Sequence, residues 1–206
     1  MRILIVLCLL VAPVGARALD AVAPPGWSEA SRAPDLVVFF RENPQAHARN
    51  LLAIGELDAP PEAVFNLVSD VAAFVKYVPY LTESRVVERV GPDELIGYQR
   101  VQAPITKDRD LYFRIHISRG SPTNGGVFKD EWTAVPDYRP ETKGVIRMQV
   151  SEGSWTLEPI AGGKRTRATY TILSSPGGYI PKWLVDMSSQ SVIGTLFKSL
   201  RDQLRK

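Results

Sequence analysis

Cysteine is nearly absent from this chain. The one cysteine, Cys8, lies in the apolar run that opens the sequence, so the body of the protein offers no disulfide, thiol nucleophile or thiolate metal site. Histidine is almost as scarce. His47 and His116 are far apart in sequence and His116 falls at an outward position of an expected strand, so neither metal ligation nor a Ser-His-Asp arrangement has support. An excess of one charge is missing too: 25 Lys+Arg face 22 Asp+Glu, and setting aside Arg2 and Arg17 of the leader leaves 23 against 22. That balance argues against nucleic acid as the main partner, because phosphate binding needs a clustered basic excess. Phosphate-cradling glycine patterns are lacking as well; Gly162-Gly163 and Gly177-Gly178 read as hairpin or helix-start punctuation.

What is present begins with a leader. Arg2 precedes the apolar run Ile3 to Ala12, and Ala16-Arg17-Ala18 places small residues where a signal peptidase reads. The run is well short of the roughly 20 residues that span a bilayer. The expectation is a signal peptide over 1–18, cleaved near Ala18, and one domain over 19–206 that is periplasmic or secreted.

After a proline-rich lead, a turn of helix is expected near Trp27 to Ser31, then strands over Leu36 to Arg41 and His47 to Leu57. Pro60-Pro61-Glu62 opens a short helix, with proline at its start and an acid in its first turn, and a second short helix covers Val71 to Val78. Seven more strands are expected: Arg85–Val90, Glu94–Ala103, Arg109–Arg119, Val127–Val135, Val145–Glu152, Trp155–Ile160 and Arg165–Ser174. Short turn-rich links between them imply an antiparallel meander. A long helix closes the chain behind Pro181, with Lys198, Arg201, Arg205 and Lys206 toward its C-terminus. The class is α+β.

In a sheet with one packed face, alternation assigns side chains to faces. Leu111, Phe113, Ile115 and Ile117 are expected inward, with Asp110, Tyr112, Arg114 and His116 outward. Gln99 and Val101, Met148 and Val150, Trp155 and Leu157, and Tyr170 and Ile172 join the inward set, with Arg147 and Gln149 outward. Phe128, Asp130 and Trp132 are the more apolar face of their strand, which makes Asp130 an inward acid and the best candidate for chemistry. The competing reading, a strand twist that leaves this acid in water or beside a cation such as Arg147, is the one preferred. Lys107 to Asp110 read as a solvated start of a strand. On the last helix, Ile180, Trp183, Leu184 and Met187 share a face that continues as Ser191, Gly194 and Thr195. Small residues there mean either a tight backbone crossing or room for a ligand.

Asp58-Ala59-Pro60-Pro61-Glu62-Ala63-Val64-Phe65, Tyr77-Val78-Pro79-Tyr80, Ser84-Arg85-Val86-Val87-Glu88 and Lys107-Asp108-Arg109-Asp110-Leu111-Tyr112-Phe113-Arg114 resemble the START-like (SRPBCC) helix-grip superfamily. The resemblance covers nearly all of the chain beyond the leader. It implies a curved antiparallel sheet of about nine strands around a long C-terminal helix, with two short helices after the second strand. It also implies a tunnel for a lipid or other hydrophobic molecule. Lipid-transfer members place an arginine inside, beyond the Arg-Asp pair; here that inward position is Ile115 and Arg114 points outward, so the interior is expected to be apolar.

The expected function is hydrophobic-ligand binding or transfer in that tunnel, lined by the inward residues above. A polyketide cyclase or aromatase using the same cavity is the alternative. No cofactor or metal is called for, and the expected partner is a lipid or other hydrophobic small molecule. A monomer with transient membrane contact is anticipated, with no nucleic acid.

Overall fold

The computed structural model describes residues 19–46, 48–102, 107–178 and 182–206, with side chains of the last segment from 191 onward. The chain opens with three strands, β1 (Ser28–Ala33), β2 (Leu36–Asn43) and β3 (Ala48–Leu57), followed by helix α1 (Pro61–Val68) and a 3-10 turn, Val71–Lys76. Then come β4 (Leu81–Gly91), β5 (Glu94–Val101), β6 (Arg109–Ser118), β7 (Phe128–Ala134), the two-residue β8 (Ile146–Arg147), β9 (Val150–Ile160) and β10 (Arg165–Ser175). Helix α2 (Lys182–Leu204) ends the chain. The strands form one curved sheet in the order β1-β2-β3-β10-β9-β7-β6-β5-β4, with β8 beside β6. Every pairing is antiparallel except β6 with β8. The expected α+β, helix-grip architecture is therefore the one observed.

Local chemistry explains the helices. Pro61 takes the first turn of α1, where a missing N–H costs nothing, and Glu62 faces the positive end of the dipole. Pro61, Val64, Phe65 and Val68 form its buried stripe, which lies across β7, β9 and β10. In α2 the buried stripe is Ile193, Leu196, Phe197 and Leu200, seated against β2 and β3. Phe197 fits because Gly55 leaves no Cβ in its way; one added there would run into the ring.

Four expectations are corrected. Ser28–Ala33 is an edge strand and not a helical turn: its side chains are mostly exposed, but its backbone pairs with β2, and the ladder decides. The two strands expected across 145–160 are the short β8 and one continuous β9. The second short helix is a 3-10 turn ending at Lys76, and both short helices follow the third strand. Edge strand β4 begins at Leu81 and breaks register at three places, between Leu81 and Glu83, Val86 and Glu88, and Arg89 and Gly91.

The outer face of the sheet is not uniformly wet. Over β2 and β3, Leu19 and Ala21 cover Val37, Phe39 and Leu52, and Arg32 fixes this segment by donating to the carbonyls of Leu19 and Ala21. This is why Leu36 to Phe39 is buried on both faces. Over β5 and β6, the segment 136–147 folds back on Tyr98 and Tyr112, with Tyr138 set 5.4 Å from the Tyr112 ring.

Candidate functional site

Cross-strand register places the inward side chains in one concave surface. Gln99 stands opposite Leu111 and Val101 opposite Arg109; Ile115 opposes Trp132, Asp130 opposes Trp155 and Phe128 opposes Leu157. Tyr170 opposes Trp155, its ring 4.4 Å from that indole and 5.8 Å from Trp132. Two rings lie flat over glycines: Phe113 crosses Gly97 and Trp132 crosses Gly153, and a Cβ at either glycine would strike the ring. A strand glycine is the sequence signal for such close approach.

The interior holds two apolar clusters. One gathers Val64, Phe65, Trp155, Leu157, Tyr170 and Phe197 under the two helices. The other gathers Val71, Leu95, Leu111, Phe113, Ile115 and Met148. Phe74, Ile117 and Trp132 touch both, and all three keep partial exposure although they face the covered side. Gln99, Val101, Phe128 and Ile172, also inward, are half-buried in the same way.

Several expected site residues stand elsewhere. Val150 lies in unbroken register on a strand whose inward members are Gly153, Trp155 and Leu157, so it falls on the outer face with Glu152 and Ser154. Ser191 and Thr195 are exposed, opposite the stripe of Phe197, and Gly194 has open space beside its Cα. The small-residue face is thus neither a tight crossing nor a ligand wall at these three positions, because the bulkier stripe took the seat on Gly55. Trp183, Leu184 and Met187 lie outside the described side chains.

The charged residues depart most from expectation. Asp110 and Arg147, both expected in water, have side chains 1% exposed. Arg147 donates from Nε to Asp110 Oδ1 at 2.7 Å and from Nη2 to Oδ2 at 3.1 Å. Its remaining donors go to the carbonyls of Pro136, Arg139 and Pro140, and its guanidinium lies 4.9 Å from the Tyr112 ring centre. Hydrogen bonding to Asp110 holds the Arg147 pKa above its ordinary value. Arg109 is inward and buried, donates to the carbonyls of Pro176 and Lys107, and has its pKa pulled down by burial. The interior is therefore not purely apolar. Arg114 is outward as expected, paired with Glu94.

Asp130 is 2% exposed. With Arg147 committed to Asp110 on the other face, Asp130 reaches neither that cation nor water. Among the described residues its one hydrogen bond comes from Ser69 Oγ, which donates to Oδ2 at 3.2 Å. Burial pushes its pKa up to about 7; the Ser69 bond works against that rise and neighbouring Glu131 adds to it. Ser69 caps the C-terminus of α1, and no local pattern announces its pairing with a residue 61 positions away. Tyr77 is buried and donates its hydroxyl to the Leu67 carbonyl at 2.8 Å, while Tyr80 is exposed.

Comparison with known proteins agrees with this geometry. The family model described as polyketide cyclase/dehydrase and lipid transport matches residues 57–201. The crystal structure of a STAR-related lipid transfer protein from Xanthomonas axonopodis superposes with a TM-score of 0.77 at 30% identity, covering 88% of this chain and 99% of that one. The mitochondrial steroidogenic acute regulatory protein of Gallus gallus is 26% identical over 156 residues, 73% of this chain and 54% of that protein, so the chain spans about half of that relative's length. The phosphatidylcholine transfer protein of Rattus norvegicus is 24% identical over 143 residues, 68% of this chain and 65% of that one. By the extent of the family match and the 30% identity to a lipid transfer protein of the same fold, this chain belongs to the polyketide cyclase/dehydrase and lipid transport family, in its START-type branch.

Proposed function

We propose that the protein binds a lipid or related hydrophobic molecule between the concave face of the sheet and α2, and carries or presents it outside the cytoplasm after loss of residues 1–18. The observation that carries this reading is the half-buried state of the inward residues Gln99, Val101, Phe128, Trp132 and Ile172. Side chains that face a covered surface and still keep exposure border space that the protein's own atoms leave open, and all of these but Gln99 are apolar. A ligand hiding about 300 Å² of apolar surface there gains about 7 kcal/mol before ordering costs. The relatives support the reading through what their names say of them, lipid transfer and steroidogenic regulation; the cyclase alternative is less favoured for the same reason.

Transfer implies a passing contact with a membrane, for which Val75 and Tyr80 offer exposed apolar side chains. Among the described residues no helix is long and apolar enough to cross one. The test is native mass spectrometry, with lipid extraction, on protein purified from its own envelope. The expected result is a chain beginning at Leu19 that carries a lipid adduct. An adduct-free protein that also takes up no lipid from vesicles would overturn the proposal.

A further inference from the structure

Asp130 occupies an unusual place in this interior. On β7 it stands between Phe128 and Trp132, opposite Ile117 on β6 and Trp155 on β9. Ile117 and Trp132 are two of the residues that touch both apolar clusters, so the carboxyl group sits at the seam between them, where inward side chains keep partial exposure. A carboxyl group in such surroundings is costly unless something there needs it; an apolar residue of similar size would pack at no desolvation cost. Ser69 supplies one neutral donor to Oδ2, and no cation among the described residues contributes to its electrostatics.

We propose that Asp130, oriented by Ser69, is the point inside the seam that recognises the polar end of the ligand, that this end is a hydroxyl group, and that carboxylate- and phosphate-headed lipids are rejected. The inference rests on the hydrophobic-ligand reading above and narrows it to neutral, alcohol-headed lipids. A hydroxyl suits the site because it both donates and accepts: it donates a hydrogen bond to an ionised Asp130 and accepts one from a protonated Asp130. Either way no second charge enters the interior. An anionic headgroup would place like charges together in apolar surroundings, and binding it would require Asp130 to take up a proton. Asp130 titrates at about 7, so that requirement grows through the neutral range. The other titratable groups around it among the described residues are Glu131 on its own strand, and Tyr77 and Asp70 beside α1. Burial raises the Tyr77 pKa well out of this range, and Glu131 and Asp70 are exposed to solvent, which leaves Asp130 as the group whose charge changes inside the seam.

The experiment uses the full mature chain, with bound Nile red displaced by hexadecanol, hexadecanoate or hexadecylamine. Hexadecanol is expected to displace at a concentration at least about tenfold below hexadecanoate at about pH 8, and hexadecanoate to weaken about tenfold between about pH 6 and about pH 8. In Asp130→Asn, which keeps the shape and a neutral acceptor for Ser69, hexadecanoate should lose that pH dependence and approach hexadecanol. Ser69→Ala removes the bond that favours the charged form, so the pH midpoint for hexadecanoate should move upward. A hexadecanol-to-hexadecanoate ratio that Asp130→Asn leaves unchanged, or hexadecylamine as the best competitor, would overturn the assignment. Failure of Nile red and all three chains to bind would sink the lipid-binding reading itself, an outcome distinct from indiscriminate binding of all three.

Discussion

Replacing Arg147 by methionine should destabilise the protein severely although the residue lies on the outer face of the sheet. The side chain is 1% exposed, as is that of Asp110, which accepts its Nε and Nη2 hydrogen bonds at 2.7 and 3.1 Å. Methionine fills most of the volume but leaves the Asp110 carboxylate buried without its cation, and breaking a buried pair in this way costs about 3–5 kcal/mol. Three carbonyls, of Pro136, Arg139 and Pro140, lose their donor as well. They belong to a loop that can reach water, so we assign them together about 1–2 kcal/mol. Arg147→Met should therefore cost about 4–7 kcal/mol by urea denaturation. The double variant Asp110→Leu with Arg147→Met removes the orphaned charge and keeps only the carbonyl losses, so it should recover to within about 2 kcal/mol of wild type. Hydrogen exchange in the double variant should accelerate across 136–147 while β9 and β10 stay protected. The reasoning is refuted if Arg147→Met costs less than about 1 kcal/mol, or if the two substitutions simply add.

Asp130 makes stability depend on pH. Its pKa moves from the ordinary 3.8 to about 7 on folding, so the folded state binds the proton more tightly; the associated stability is fully present below about pH 4 and is lost as pH rises to about 7, by at most about 4 kcal/mol. Asp130→Asn should flatten that decline and be the more stable protein at about pH 8 in parallel urea titrations. Gly97→Ala and Gly153→Ala should each cost about 1–3 kcal/mol in thermal melts, because the new methyl meets Phe113 or Trp132; Gly153→Ala should be the worse, since it also meets the Thr171 carbonyl. Gly194→Ala should stabilise by about 0.5–1 kcal/mol in the same melts, as nothing lies within 4 Å of the added carbon.

The architecture was legible because its signals are local and periodic. Pro60-Pro61-Glu62 marks α1, alternation from Arg109 to Ser118 marks β6, and both stand where they were expected. Alternation also set Asp130 inward, since Phe128 and Trp132 share its face. What alternation cannot report is whether a second layer covers the face turned away from the helices. Asp110 and Arg147 were placed on the correct side of the sheet but in the wrong solvent, because 136–147 folds over them. Val150 was misplaced for a simpler reason: reading two strands where β9 is one lost the count of the pleat. On α2 two stripes competed, and the choice was made by Gly55, distant in sequence, which admits Phe197. The partner of Asp130 was hidden likewise, as Ser69 looks like any helix-terminal serine until α1 is laid on β7.

The irregular register of β4 bears on how the protein behaves among its own copies. An open sheet of this width ends in two rows of backbone groups that lack a neighbour within the sheet, and such rows invite another chain to add itself and start a fibre. At one end β1 is six residues long and carries Glu29 and Arg32 on its surface. At the other, β4 is eleven residues long, enough to template an incoming strand, but its three breaks in register interrupt the spacing at intervals too short for a continuous ladder. Removing all three irregularities would give β4 an even margin able to receive a further strand, so the irregular strand serves as the sheet's selvedge, keeping a concentrated solution of folded chains from knitting together.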